Sequence, residues 1–215
     1  MEILNKITDI SHYPKIVVAL GTFDGLHVGH KAVIGRAVNI AKEIGGTGVV
    51  FTFSNHPLNV LAPALSPPIL LSEADKYSRI EEMGVDIMMS VPFTEELLHI
   101  SPRDFIQLLI SNMKPDRIVV GPNFTFGFRG QGTPEMLKNF AEEFGYGVDI
   151  PEAVTVNKRW ASSTLIRHLI AAGKVREAAE YLGRPFSLNG MVEVGDGRGR
   201  LLGYPTANIS IPVGR

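Results

Sequence analysis

Two histidines, His27 and His30, lie three positions apart behind an apolar run and a glycine-bearing turn. The run Ile16–Leu20 predicts a buried strand, and the periodicity from about Val28 to Ile44 predicts a helix. A strand, a turn and a helix gather backbone N–H groups, the positive end of the helix dipole and both imidazoles around one point. This arrangement is typical of a site that binds a nucleotide triphosphate and supports chemistry on phosphorus.

The turn supplies candidate contacts for ATP, namely Gly21, Thr22, Phe23, Gly25 and Gly29. Gly29 lies at the start of the helix, where glycine costs about 1 kcal/mol relative to alanine. We interpret this cost as space kept for a phosphate or for the adenosine. Asp24 either orients a histidine, or caps the helix or stabilises the turn, and the sequence leaves these roles open. The plain alternative for the whole stretch is a tight turn with two histidines on a helix surface.

The ten residues from Gly21 to His30, GTFDGLHVGH, resemble the motif of the H-x-G-H nucleotidyltransferases. In its longer form the motif resembles that of the prokaryotic FAD synthetase family, the riboflavin kinase/FMN adenylyltransferases. The resemblance implies transfer of AMP from ATP to FMN, with Mg²⁺, to give FAD and pyrophosphate. It also implies that His27 and His30 stabilise the charge on the triphosphate during transfer. The alternatives are a nucleotidyltransferase with another phosphate acceptor and a non-catalytic flavin-nucleotide binding or regulatory protein.

A second motif, ASSTLIR from Ala161 to Arg167, resembles the S-S-T-x-I-R of the same family, which usually has an aliphatic residue first. Hydroxyls and free N–H groups at a helix start can bind an anion, and an arginine one turn later can make forked hydrogen bonds to phosphate. The resemblance implies that Ser162, Ser163 and Thr164 bind ATP and that Arg167 contacts its β- and γ-phosphates. An ordinary serine cap followed by a surface arginine is the alternative.

Two further stretches resemble the flavin side of the family. TFSNHP (52–57) resembles T-F-x-P-H-P, with Asn55 where proline is common, and VVGPNFTFG (119–127) resembles V-V-G-x-[DN]-F-x-F-G. A planar flavin needs an aromatic face and a few directed polar groups. The candidate flavin contacts are Phe53, His56, Asn123, Phe124 and Phe126. Core packing is the alternative for one of the last two phenylalanines, and a plain surface position is the alternative for His56.

The stretch Gly195–Asn208, GDGRGRLLGYPTAN, resembles the opening of the riboflavin kinase module. The resemblance implies that Gly203, Pro205, Thr206 and Asn208 belong to its Mg–ATP site. About thirty residues cannot bury the core of a small β-barrel, so we predict an incomplete kinase module without riboflavin kinase activity in this chain alone. With a boundary near Arg184, residues 1–184 form the FMN adenylyltransferase domain and residues 185–215 the start of the kinase domain.

Alternating apolar runs and helical patterns predict the elements that position these residues. The predicted strands are Ile16–Leu20, Gly48–Phe53, Asp86–Val91, Arg117–Gly121 and one near Val148–Val156, with another strand-like stretch at Phe186–Val194. The predicted helices are Val28–Ile44, Ser72–Met83, Pro102–Met113, Pro134–Phe144, Ser162–Ala172 and Val175–Leu182. The proline-rich segment Ser54–Pro68 is either a lid or a surface excursion. The fold class is α/β: a Rossmann-like parallel-sheet nucleotidyltransferase domain followed by the incomplete start of a small β-barrel.

Composition narrows the class of protein. A formal net charge of −1 gives no general attraction to nucleic acid or to an anionic membrane, so we expect small nucleotides and flavins as partners. The absence of cysteine excludes disulfides and thiolate metal sites. The sequence has no apolar run of membrane-spanning length and no signal-peptide pattern, which predicts a cytoplasmic protein. The oligomeric state is not predicted, and no metal ligand is assigned in the first domain.

Overall fold

The computed structural model describes residues 1–210. In this part of the chain six parallel strands form one sheet in the order β1–β4–β3–β2–β5–β6. The strands are β1 (Glu2–Leu4), β2 (Ile16–Leu20), β3 (Thr47–Phe53), β4 (Ile87–Val91), β5 (Arg117–Val119) and β6 (Gly147–Asp149). The central strands are apolar along their whole length because both faces of the sheet are covered. The predicted α/β class with a Rossmann-like parallel sheet is confirmed.

Helices cover the sheet and most begin at a hydroxyl cap, in which a serine or threonine accepts the N–H three residues later. They are α1 (Val28–Ile44), α2 (Leu58–Leu61), α3 (Glu73–Glu82), α4 (Glu95–His99), α5 (Pro102–Met113), α6 (Pro134–Phe144), α7 (Ser163–Ala171), α8 (Val175–Leu182) and α9 (Arg198–Leu201). Within residues 1–210, none of these helices combines the length and the apolar character needed to cross a membrane.

Alternate side chains of β2 enter two different cores. Val17 and Ala19 pack with α1 and α3 on one face of the sheet. Val18 and Leu20 pack with α5 and α6 on the other. This period-two alternation within a fully buried strand fixes the register of the three-layer domain. A third, smaller cluster joins α7 and α8 to Leu70.

The order of the strands creates a crevice at one edge of the sheet. From β2 the chain proceeds outward through β3 to β4, and it then returns to the other side of β2 as β5. In open parallel sheets, ligands bind outside the carboxyl ends of the strands where the order reverses in this way. The carboxyl ends of β2 and β5 flank this position, and they lead into the two stretches at Gly21 and Gly121.

Several elements differ from the prediction. The strand expected near Val148–Val156 is split: only Gly147–Asp149 joins the sheet, Pro151 follows, and β7 (Thr155–Val156) instead forms a hairpin with β8 (Arg159–Trp160). In the stretch Phe186–Val194 only β9 (Val192–Glu193) is extended, paired with β10 (Asn208–Ile209). The proline-rich segment Ser54–Pro68, predicted as a loop that is either a lid or a surface excursion, contains α2 and a 3₁₀ turn.

The short elements β1, α4, α9 and β10 were not predicted from the sequence. The last five positions of the predicted kinase segment, 211–215, lie outside the described residues.

Candidate nucleotide-binding site

His27 and His30 form a stacked pair at the start of α1. His27 is the N-cap residue, and its Nδ1 accepts a hydrogen bond of 3.2 Å from the backbone N–H of His30. The two rings stack with centroids 3.6 Å apart and an angle of 21° between their planes. Because Nδ1 of His27 is an acceptor, the proton of the neutral ring lies on Nε2, which is the atom able to donate.

Both imidazoles are neutral at pH 7. Burial, together with the charge of Arg184, lowers the pKa of His27 to about 4. Burial also lowers the pKa of His30 well below its ordinary value, and the positive charges of His27 when it is protonated, of Lys76 and of Arg167 add to that effect. Within the described residues, the buried Nδ1 of His30 has no hydrogen-bond partner. The pair therefore offers uncharged hydrogen-bond donors next to a helix N-terminus.

Phe23 and Gly29 shape the surroundings of the two rings. Phe23 is buried and meets His30 edge-on, with ring centroids 5.4 Å apart. A Cβ on Gly29 would lie 3.1 Å from Cε1 of His27. The imidazole of His27 fills the space that the sequence interpretation reserved for a phosphate, so glycine is needed here to seat the ring. Both residues line the cavity described below, and their contact with ATP stays a prediction.

Asp24 connects this turn to two distant segments. Its carboxylate contacts Nη2 of Arg167 and accepts hydrogen bonds of 3.0 and 3.2 Å from the N–H of Leu70. Nε of Arg167 donates to the carbonyl of Pro68 at 2.7 Å. Asp24 thus holds Arg167 and the strap, defined as residues 68–70, and not a histidine. Arg167 lies in this internal ion pair and outside the cavity wall, and its contact with the β- and γ-phosphates stays a prediction.

The serines of the second motif are placed beside the first motif. Ser162 caps α7 by accepting the N–H of Leu165 at 3.2 Å, and Ser163 donates to the carbonyl of Asp24 at 2.8 Å. Thr164 is exposed and faces the same cavity as both serines. The structure therefore brings together two motifs that are about 140 residues apart in the chain, as a common ATP site requires.

A cavity of about 950 Å³ opens at this edge of the sheet, near the upper limit of about 1,000 Å³ for small-molecule sites. Its wall combines two sets of residues. The polar set is Gly21, Thr22, His27, Gly29, His30, Ser162, Ser163 and Thr164. The aromatic set is Phe53, Phe93, Phe105, Phe124 and Phe126, accompanied by Leu97, Leu98 and Ile100.

The predicted flavin residues have different surroundings. Phe126 is buried and packs on Phe105 in the core, with centroids 5.8 Å apart, whereas Phe124 is only partly buried and stacks on Phe126 at 5.7 Å. Phe53 and the exposed Asn123 also line the cavity. Of the two phenylalanines in question, Phe126 is therefore the core residue and Phe124 the one available for stacking.

His56 lies outside the cavity wall. Its Nδ1 accepts a hydrogen bond of 3.1 Å from the N–H of Leu58, the first residue of the short helix α2. Burial lowers its pKa, the charge of Arg167 lowers it further, and Asp24 opposes both. The flavin contact predicted for His56 has no support from this geometry.

Phe93 was not predicted from the sequence, and Asn55 holds it in place. The side-chain amide of Asn55 donates to the carbonyl of Phe93 at 3.1 Å and accepts its N–H at 2.6 Å. Phe93 also meets Phe53 edge-on, with centroids 5.0 Å apart. The asparagine that departs from the family pattern therefore fastens the loop after β3 to the loop after β4, next to the cavity.

Lys76 is a second residue that the sequence did not reveal. It is buried, and its Nζ donates to the carbonyl of Thr22 at 2.9 Å, to Oγ1 of Thr52 at 2.8 Å and to the carbonyl of Phe53 at 3.1 Å. Burial lowers its pKa to about 8, against the opposing effect of Asp24. Three donated bonds satisfy the ammonium and join the turn after β2 to the end of β3. A lysine in an amphipathic helix usually lies on the surface, and no feature of the sequence marks this one as buried.

Arg184 supports the turn from the opposite side. Its Nη2 donates to the carbonyl of Gly25 at 2.9 Å, and its Nη1 contacts the carbonyl of Leu26 at 3.4 Å. Gly25 has φ of +82°, a left-handed conformation that glycine adopts without strain. The first residue after the C-cap of α8 thus stabilises the backbone that leads into His27.

The predicted kinase residues stand apart from this cavity. Gly203, Pro205, Thr206 and Asn208 are exposed, and none of them lines its wall. Across residues 1–210 there is no group of three His, Asp or Glu side chains that could hold a metal ion.

Comparison with known proteins decides the family. The profile of the family described as FAD synthetase matches residues 9–165, which is well over half of the chain. The chain belongs to the FAD synthetase family. A second profile, described as riboflavin kinase, matches residues 182–214. The matched FAD synthetase region includes both histidines, the aromatic set and the start of α7.

Relatives in this family share the same name. Bifunctional riboflavin kinase/FMN adenylyltransferase of Bacillus subtilis (strain 168) is 38% identical over 92% of this chain and 62% of its own length. The protein of that name from Listeria monocytogenes is 37% identical over 91% and 62%, and that of Escherichia coli (strain K12) is 28% identical over 98% and 68%. The chain thus spans a little over three fifths of the first two relatives.

Solved structures agree with the fold. The crystal structure of a protein named macrolide-efflux protein, from Streptococcus pneumoniae, matches with a TM-score of 0.81 and 33% identity over 97% of this chain and 66% of that one. A pantoate-beta-alanine ligase from Francisella tularensis matches with a TM-score of 0.50 and 13% identity over 92% and 90%. The second likeness concerns the fold alone.

Proposed function

We propose that this chain transfers the adenylyl group of ATP to FMN, forming FAD and pyrophosphate. The observation that carries the proposal is that one cavity joins the His27/His30 pair and the start of α7 to an aromatic wall. The first set suits a triphosphate and the second suits an isoalloxazine ring. Membership of the FAD synthetase family and the names of the relatives support the same reaction.

In the proposed reaction a phosphate oxygen of FMN attacks the α-phosphorus of ATP. The new P–O bond forms as the bond to the bridging oxygen breaks, and pyrophosphate leaves with the electron pair. A phosphate monoester is already nucleophilic, so the protein has to align the reactants and stabilise charge. In this proposal Nε2–H of His27 and the ring of His30 donate to the triphosphate, and the N-termini of α1 and α7 add positive potential; the hydrogen bond that leaves the proton on Nε2 and the position of both rings in the cavity wall support these roles.

Mg²⁺ belongs to this proposal as the counter-ion of ATP. Residues 1–210 contain no cluster of three side chains that could hold the ion, so the proposal gives it no protein ligand. The division into residues 1–184 and 185–215 and the cytoplasmic location remain parts of the proposal. No observation favours another phosphate acceptor or a protein without turnover.

The decisive experiment measures FAD formed from FMN, ATP and Mg²⁺, with riboflavin as a parallel substrate. His27→Asn keeps a side-chain acceptor for the N–H of His30 but removes the Nε2 donor, and His30→Ala removes the second ring. Each variant should lower kcat by about 100-fold, the usual effect of removing one donor to developing charge. His168→Ala, which changes an exposed histidine outside the cavity wall, is the control. Unchanged FAD synthesis in both site variants would show the mechanism to be wrong.

A further inference from the structure

The cavity wall includes an exposed aromatic side chain to which the proposed reaction assigns no role. Trp160 is the single tryptophan of the chain, it lines the cavity, and it is 65% exposed. Tryptophan is usually largely buried, because an exposed indole leaves a large apolar face in water. An exposed indole in the wall of a ligand cavity is therefore a candidate stacking surface.

The pairing of the β7–β8 hairpin explains why Trp160 faces the cavity. Trp160 pairs with Thr155, and Arg159 pairs with Val156. Val156 packs against the cluster of α7 and α8, and Arg159 lies 3.7 Å from Glu177 on α8. Since neighbouring residues of a strand point to opposite faces, the Trp160 side chain points away from α8.

The hairpin is fixed at both ends. Asn157 and Lys158 form its two-residue turn, and both have the positive φ typical of such turns, 50° and 64°. The side chain of Asn157 donates to Glu180 on α8 at 2.7 Å. At the other end the N–H of Ala161 donates to the carbonyl of Val154 at 3.1 Å. The hairpin that carries the indole is thus held in place by contacts within the chain itself.

The position of Trp160 relative to α7 indicates which part of a ligand the indole would contact. Trp160 lies two residues before Ser162, the cap of α7, whose start we assign to the phosphates of ATP. The residues that precede the hairpin, namely Pro151, Ala153 and Val154 together with the acidic Glu152, also line the cavity. A nucleotide with its phosphates at the start of α7 can therefore place its base on the indole.

We propose that Trp160 stacks on the purine base of ATP and that it contributes to the choice of nucleotide. This inference rests on the proposed function, because that function places the triphosphate at the start of α7. Stacking between a base and an aromatic side chain is a substantial interaction that every base with a large π-face can make, and purines present the larger face.

The fluorescence of the only tryptophan tests the contact directly. The full chain is titrated with Mg–ATP in the absence of flavin, since FMN would absorb the indole emission. We expect saturable quenching by ATP, weaker quenching by CTP, and none by inorganic tripolyphosphate, which has no base. No change with ATP, or equal quenching by tripolyphosphate, would overturn the proposal. This readout needs no turnover, so it stands even if the wild-type chain forms no FAD.

Kinetics separate stacking on ATP from stacking on FMN. Trp160→Ala should raise the KM for ATP about 5- to 150-fold, the range that loss of one stacked base gives, while the KM for FMN and kcat change by less than about twofold. Trp160→Phe should recover most of the affinity because it keeps a ring. Val175→Ala, an exposed apolar residue outside the cavity wall, is the control. A rise in the KM for FMN instead, or no change in either KM, would overturn the proposal.

Discussion

The guanidinium of Arg167 is bound to the carboxylate of Asp24, although 143 residues separate them in the chain. The two side chains are only 13% and 14% exposed. Asp24 also holds the N–H of Leu70, and Arg167 holds the carbonyl of Pro68. One ion pair therefore joins the turn before α1, the helix α7 and the strap of residues 68–70.

A double-mutant cycle tests how much this pair contributes. Asp24→Asn and Arg167→Gln should each lower the free energy of unfolding by about 1–3 kcal/mol, because each leaves a partly buried group without its charged partner. The double variant should lose less than the sum, with a coupling energy of about 0.5–3 kcal/mol. Urea denaturation gives these values. The exposed pair Arg103 and Glu143 is the control and should show no measurable coupling. Additive losses at Asp24 and Arg167 would contradict this role.

Stability should fall on acidification because of the histidine pair. His27 has a pKa of about 4 in the folded chain and about 6.5 when unfolded, so the unfolded chain binds more protons between these values. The contribution of the neutral His27 to the free energy of unfolding is fully present above about pH 6.5 and is lost as the pH falls towards 4. His27 alone should account for about 2 kcal/mol between pH 7 and pH 4.5.

Denaturation of His27→Asn at the two pH values measures this share. The variant should lose about 2 kcal/mol less than the wild type on acidification, because its side chain does not titrate. His168→Asn changes an exposed histidine and should leave the pH dependence as it is. An unchanged pH dependence in His27→Asn would show that this imidazole is not kept neutral by burial.

Lys76→Met should impair catalysis much more than stability. The apolar side chain removes the cost of burying a charge but leaves the carbonyl of Phe53 without the ammonium that fixed it beside Thr22. Because the turn at Thr22 and the end of β3 at Phe53 are then no longer held in a fixed relative position, kcat/KM should fall about 10- to 100-fold for both substrates. Lys138→Met, on the exposed face of α6, is the control.

The pH profile gives Lys76 a second readout. Its pKa is about 8, and the neutral amine has only two N–H groups for three acceptors. Wild-type activity should therefore decline as the pH rises through about 8, and Lys76→Met should lack this decline. A profile that is the same in both proteins would argue against a positioning role.

Phe124 and Phe126 should respond differently to truncation. Phe124→Ala should raise the KM for FMN about tenfold with little change in stability, since the ring is only partly buried. Phe126→Ala should lower the free energy of unfolding by about 3–5 kcal/mol, because the ring is 5% exposed and packs in the core. Steady-state kinetics and urea denaturation distinguish the two effects. A stable Phe126→Ala chain with weak FMN binding would reverse the assignment.

The sequence predicted the long elements well because their periodicity is strong. The bounds of α1, α5, α6 and α8 agree with the prediction to the residue, and the caps of α3 lie at Ser72 and Met83 as its pattern implied. Short elements carry too few residues for a pattern. The three residues of β1 depend on pairing with β4, and α4 depends on its cap at Thr94.

The sequence identified the motifs of the candidate site but did not reveal the contacts between them. The residues of GTFDGLHVGH and SSTLIR could be identified from their types, yet their meeting through Asp24 is a tertiary contact that no local pattern contains. The roles of Lys76 and Trp160 could not be found from the sequence, because a lysine in an amphipathic helix is usually exposed and a tryptophan is usually largely buried. The structure places each of them against that expectation.

The opposite wall of the cavity depends on the pairing of β2 with β5. Val17 of β2 pairs with Arg117, one hundred positions further along the chain. Closing a loop of this length costs conformational entropy, which the paired strands must offset. A nascent chain that ends before β5 would have a complete GTFDGLHVGH motif and no pocket, and a nucleotide could stabilise only the finished sheet.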